Sequence, residues 1–138
     1  AIAASEERFR TLADAMPQIV WAAGPDGTTD YFNRRWYEFT GIQEQIKLAD
    51  WTEAVHPDDR ERCASAWRSS VERGDPFEVE YRFFDRSSGS YRWHLGRALP
   101  VRSDEGPIVR WFGTSTDIDA HKRSEEARNK LLQSEREA

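Results

Sequence analysis

A chain of 138 residues with six Trp, seven Phe and 33% charged residues has room for one hydrophobic core, burying roughly 68–70% of its unfolded surface. Its 20 basic and 25 acidic residues give a formal charge of −5, which argues against a nucleic-acid groove and an anionic membrane face, since both want a basic stripe. One cysteine, Cys63, excludes an internal disulfide and a Cys/His metal cluster, and no run approaches the ~20 apolar residues of a membrane span.

Ser5 is placed to cap a helix with Glu6 and Glu7 in its first turn. Phe9, Leu12, Ala13 and Met16 recur at helical spacing before Pro17 ends it. Residues 18–23 read as a buried strand around Ile19, Val20 and Trp21. Pro25-Asp26-Gly27-Thr28 has turn chemistry and leads into a second strand over 28–32. Asn33 is expected to cap a short helix over 34–39, closed by Thr40-Gly41. Residues 42–55 read as irregular, with Trp51 anchoring another short helix.

His56-Pro57-Asp58-Asp59-Arg60 is a helix start, with proline near N1 and acids in the first turn. That helix runs to Arg73, stops at Gly74 and turns Ala64, Trp67 and Val71 inward. Three strands follow over 77–84, 91–101 and 107–117, separated by turns at 85–90 and 104–106. From 120 to 138 the chain reads as a charged helix, with Ser124, Ala127, Leu131, Ser134 and Ala138 forming a weak heptad seam. Strand runs and helix runs are segregated, so the class is α+β: a five-stranded antiparallel sheet with short helices over one face. The division expected is an N-terminal cap helix (1–17), a core (18–119) and a C-terminal signalling helix (120–138).

Several segments in this order carry a resemblance: Trp21-Ala22-Ala23 with Asp26-Gly27; Tyr31-Phe32-Asn33-Arg34-Arg35-Trp36 with Thr40-Gly41; Trp51 with His56-Pro57-Asp58-Asp59-Arg60; Phe77 to Phe83; Gly89 to His94; and Trp111-Phe112-Gly113 through Asp117-Ile118-Asp119 to Lys122. Over residues 8–123 the chain resembles a PAS domain with its C-terminal PAC segment, of the bacterial sensor type. The resemblance implies the sheet order 2-1-5-4-3 and a pocket between one sheet face and the helices. It also implies a cytoplasmic, dimeric module without catalysis of its own, joined to an effector such as a histidine kinase or a cyclic-dinucleotide enzyme. A membrane anchor elsewhere in such a parent is compatible with this reading.

Cofactors are not expected. Flavin-adduct members of the family carry an Asn-Cys-Arg-Phe-Leu-Gln motif, whereas Cys63 here sits in Arg62-Cys63-Ala64 on the longer helix. The helix over 57–73 has no histidine to ligate haem. An unidentified small molecule stays open as a ligand. Trp21, Trp36, Phe39, Trp67 and Trp111 are candidates to line its cavity, or equally the residues of a filled core. The resemblance adds His94 and Ser115 to that pocket; the alternative for His94 is a structural hydrogen bond.

The pleat sets Trp93 and Leu95 on the face opposite His94. The outward row Trp93, Leu95 and Leu99 wants a cover, which Phe9, Leu12 and Met16 would supply from the same chain or from a second copy. Glu78, Glu80 and Arg82 read as a cross-strand charge ladder. Asp117-Ile118-Asp119 resembles the Asp-Ile-Thr motif that ends the last strand of these domains, with Asp119 in place of threonine. Asp117 is expected to cap the following helix and pair with an Arg or Lys, so that the three residues transfer a signal. Two other functions stay open: a ligand-free dimerisation module, and a small α+β enzyme using His94. The absence of a phosphate loop and a nucleophile elbow counts against the enzyme.

Overall fold

The computed structural model describes residues 2–42 and 51–137. In chain order they form α1 (Ile2–Ala15), β1 (Ile19–Ala23), β2 (Thr29–Phe32), α2 (Arg34–Thr40), a 3-10 helix (Trp51–Ala54), α3 (Pro57–Arg73), β3 (Phe77–Asp85), β4 (Ser90–Arg102), β5 (Ile108–Asp117) and α4 (Asp119–Glu137). The five strands make one antiparallel sheet in the order β2-β1-β5-β4-β3. This is the α+β arrangement that the segregated runs of strand and helix imply. The irregular stretch expected over 42–55 falls largely on 43–50, outside the described residues.

The core lies on the sheet face that carries Trp21, Phe77, Tyr81, Phe83, Ala98 and Trp111, with Trp36, Phe39, Cys63 and Trp67 facing it from α2 and α3. Aromatic rings meet edge-on there: Trp67 lies 5.2 Å from Trp21, 5.2 Å from Phe77 and 5.1 Å from Trp111, a geometry that the ring quadrupole favours. Gly113 makes this possible, because a Cβ at that position would meet Trp21 at 2.3 Å. The indole therefore lies against the bare backbone of β5.

Two caps differ from expectation. Helix α1 begins at Ile2, so Ser5 is an interior residue; residues 2–4 are Ile-Ala-Ala, and the helix propagates through them. Asn33 holds the N-cap position of α2 but makes no side-chain cap bond. Its side chain is buried and accepts from the Val20 N–H (3.0 Å), while its amide donates to the Ala13 carbonyl (2.7 Å) and the Gln18 carbonyl (3.1 Å). Asn33 thus ties α1, the start of β1 and α2 together, a use of its polarity worth more in the interior than a solvated cap.

Strand β3 is the edge of the sheet, and its outer rim is occupied. Val55 bridges Phe83, the His56 N–H donates to the Arg82 carbonyl (2.8 Å), and the Arg82 N–H donates to the Asp59 carboxylate (3.0 Å). Residues 55–59, leading into α3, therefore take up the outward backbone groups of Arg82 on the edge strand. At the opposite end of the chain, α4 leaves the sheet; from Arg123 to Glu137 it is exposed throughout. The heptad seam faces water, with Leu131 62% exposed, and Ala138 lies outside the described residues.

Candidate functional site

The inner face of the sheet encloses two small spaces that share Ser115. The first is bordered by Trp21, Trp36, Trp51, Tyr81, Phe83 and Ser115, together with Ile19, Phe32 and Phe77. Its walls are apolar except where the Tyr81 hydroxyl meets Ser115 Oγ at 2.6 Å. Gly96 positions this pair: a Cβ there would lie 2.6 Å from the Tyr81 ring, and Gly96 stands opposite Ser115 in the β4–β5 register. Burial pushes the Tyr81 phenol up, with the Ser115 bond opposing, so the hydroxyl stays protonated and available to donate. Between the described residues this space leaves about 10 Å³ open, room for one water at most.

The second space, of about 40 Å³, lies between α2 and the ends of β1 and β5 and is edged by Gln18, Arg35, Phe39, His94, Ser115 and Asp117. The His94 ring is buried between Phe39 (4.9 Å) and Phe83 (5.2 Å). Its Nδ1 donates to the Arg92 carbonyl at 3.1 Å. Burial lowers the His94 pKa; the Arg92 carbonyl and the nearby Asp117 carboxylate oppose this without overcoming it. The imidazole is thus neutral at neutral pH.

The structure therefore divides the sequence candidates. Trp21, Trp36 and Ser115 border the first space, and Phe39 and His94 border the second with Ser115. Trp67 and Trp111 pack in the tryptophan cluster behind Trp21 and border neither. The Trp67 indole donates to the Gly27 carbonyl (3.0 Å), and Trp111 Nε1 is buried with no hydrogen-bond partner among the described residues. Tyr81 and Phe83 were legible only as inward strand positions, and nothing in their spacing marked them as pocket walls. Cys63 faces the core from α3 and is fully buried, which pushes its thiol up to about 11. Among the described residues no three His, Cys, Asp or Glu side chains are grouped to hold a metal.

The third part of the site is the end of β5. Asp117 lies opposite His94 in register. Its carboxylate accepts from Arg92 Nε at 2.7 Å and from the Asp119 N–H at 2.9 Å. One acid thus holds both a strand arginine and the first turn of α4. Asp119 is 3% exposed; it accepts from the Trp93 N–H (3.2 Å) and from Arg123 Nε one turn on (2.6 Å). Burial works against both carboxylates, but these donors outweigh it and hold each carboxyl below the usual range. The Ile118 N–H donates to the Trp93 carbonyl at 2.8 Å, so the strand's backbone bonding continues to the residue just before the helix. Asp119, standing in place of threonine, reaches the β4 backbone and engages α4 through its charge.

Within one chain, α1 covers a different part of the outer face from the row Trp93, Leu95 and Leu99. Phe9 packs on Tyr31 (5.4 Å) and Phe112 (5.3 Å), over β2 and β5. Trp93 lies under Arg82 and Lys122 instead of under α1. Leu12 and Leu99 stay exposed, at 69% and 63%; Met16, Phe9 and Leu99 edge an open apolar groove, and Leu95 is half-buried. The charge ladder is also only partly cross-strand. Glu78 pairs with Arg97 of β4 (3.3 Å), whereas Glu80 pairs with Lys122 of α4 and Arg82 with Asp59 of α3.

Residues 29–115 match the family described as the PAS fold. This chain belongs to the PAS family. The PAS domain is 38% identical to the uncharacterized protein y4lL of Sinorhizobium fredii over 92% of its own length and 15% of that protein's. It is 35% identical to the peroxide stress-activated histidine kinase mak1 of Schizosaccharomyces pombe over 100% of its own length and 9% of the kinase. A crystal structure of a sensory box histidine kinase/response regulator from Burkholderia thailandensis superposes with a TM-score of 0.69 at 28% identity, covering 95% of this chain and 99% of that one. The domain therefore spans a small fraction of the curated relatives it matches, and it is a sensory PAS module similar to those of histidine kinases. Among the described residues no helix is long and apolar enough to cross a membrane.

Proposed function

We propose that this PAS domain is the cytoplasmic signal relay of a bacterial histidine kinase or a comparable signalling chain. It takes up a small ligand or a partner's movement at its helical face and passes the change through β5 into α4. One observation carries the reading: only Ile118 separates β5 from α4, and Ile118 and Asp119 both still bond to Trp93. A displacement of β5 therefore reaches α4 with no flexible link between them. The similarity to kinases many times longer than this chain supports an effector beyond α4. The domain itself supplies no catalytic residue in this reading, and His94 serves as a wall of the polar space.

The tight inner packing favours a partner's movement, or a ligand that displaces side chains, over a resident cofactor. The exposed groove beside Phe9, Met16 and Leu99 supports a homodimer through α1 and the outer sheet face. The relay is tested in the full-length parent. Asp117→Ala should abolish the stimulus-dependent change in autophosphorylation while leaving the domain folded, whereas Asp104→Ala, in the β4–β5 turn, should not. Unchanged output from Asp117→Ala removes the strand end from the mechanism.

A further inference from the structure

The outer face of the sheet carries a continuous set of contacts between α3 and α4. Asp59, in the first turn of α3 and 5% exposed, accepts from Arg82 through Nε (2.9 Å), Nη2 (2.8 Å) and the backbone N–H (3.0 Å). Arg82 stands opposite Trp93 in the β3–β4 register, and its guanidinium carbon lies 5.1 Å from the centre of the Trp93 ring. Lys122, on the first turn of α4, lies 5.0 Å from the centre of the same ring and is held by Glu80 of β3. Two cations thus share one indole: the first is fixed to α3 and the second belongs to α4. Each contact is of the size expected of a cation over a tryptophan ring, and each cation is kept in place by its own carboxylate.

We propose that Asp59, Arg82, Trp93 and Lys122 couple α3 to α4 across the outer face, independently of the inner cavity. A shift of the α3 start draws on Arg82 and changes its seat on Trp93. The same ring seats Lys122, so the first turn of α4 is loosened or tightened in turn. Asp59 and Lys122 act as positioning residues at the two ends of this path. The inference deepens the relay reading by naming where movement of the helical face enters, and rests on it only for its use in signalling. Its test needs no effector, so it can fail while the parent experiment succeeds, and the reverse.

The test is hydrogen exchange of the amides of residues 122–124, the first of α4 to donate backwards along the chain, in this 138-residue chain. Among the described residues the charged groups that pair with Asp59 are Arg82 and Arg62, neither of them on α4, yet Asp59→Asn should speed exchange there about two- to fivefold, as should Lys122→Met. Because both act through one ring, the double variant should be no faster than Lys122→Met alone. Arg82→Lys keeps a charge toward Asp59 but loses the planar group on the indole, and should speed the same amides while β1 and β5 stay protected. Unchanged exchange in Asp59→Asn, multiplying effects in the double variant, or a uniform loss of protection across the sheet in Arg82→Lys each overturns the coupling.

Discussion

Arg92 and Asp117 meet at 2.7 Å across β4 and β5, at the last register position before the chain becomes α4. The same carboxylate receives the Asp119 N–H, so this ion pair sets the angle of a helix as well as joining two strands. Both side chains are about one-third exposed, and a pair of this kind contributes about 1 kcal/mol or less to stability. Arg92→Met should therefore leave the urea midpoint nearly unchanged and still speed exchange of the Asp119 amide, which Asp117 accepts. A large stability loss with α4 protection intact would reverse this assignment.

Gly96→Ala should destabilise the domain by about 1–3 kcal/mol in urea unfolding, because the new methyl meets the Tyr81 ring and the packed core resists it. Tyr81→Phe keeps the ring but leaves Ser115 buried without its 2.6 Å partner, and should cost about 1–2 kcal/mol. In the double variant the Ser115 penalty should be largely absorbed, since Gly96→Ala already displaces the hydroxyl.

His94 gives a pH dependence of definite sign. Its pKa is lowered from 6.5 by burial, so the unfolded chain binds a proton more readily than the folded one. Stability is complete above the unfolded value and falls as pH drops below about 6.5. The lowered Asp117 and Asp119 add a second loss in the same direction, beginning near the ordinary carboxylate value of 3.8. Chemical denaturation between pH 8 and 5 should show the first slope, and His94→Phe should flatten it. An equal slope in the variant would place the titration elsewhere.

Asn33→Ala removes three hydrogen bonds at once, two of them buried. It should cost about 2–4 kcal/mol and selectively release α1, seen as early proteolysis before residue 17 with the sheet still protected. Stable attachment of α1 would mean that Phe9 alone holds it.

Leu99→Glu places a charge in the groove beside Phe9 and Met16. Sedimentation should shift from dimer to monomer with the melting temperature nearly unchanged. A wild-type chain that sediments as a monomer at high concentration would remove the outer face from the dimer reading.

Helix α3 was legible because its signals are local: Pro57 at its first position, Asp58 and Asp59 beside the positive end, Gly74 at its close. The first hairpin and the three-stranded run after it were legible from turn residues and alternation, while the sheet order came only from the resemblance. The caps at Ser5 and Asn33 failed for opposite reasons: local propensity carried α1 past the first, and tertiary bonding recruited the second. Arg92, Arg82 and Lys122 were invisible as site residues because their roles depend on register and on the direction in which α4 leaves. Trp67 and Trp111 were indistinguishable from pocket walls in the sequence, since a large inward indole has the same pattern whether or not a void lies beside it.

The occupied rim of β3 limits how this domain can associate. With the Arg82 N–H and C=O already committed to Asp59 and His56, an extended peptide cannot pair with β3 through that residue. Strand addition is blocked at that point of the edge. Assemblies containing the domain are therefore steered toward contacts between side-chain surfaces, where individual substitutions can tune specificity in ways that backbone pairing does not permit.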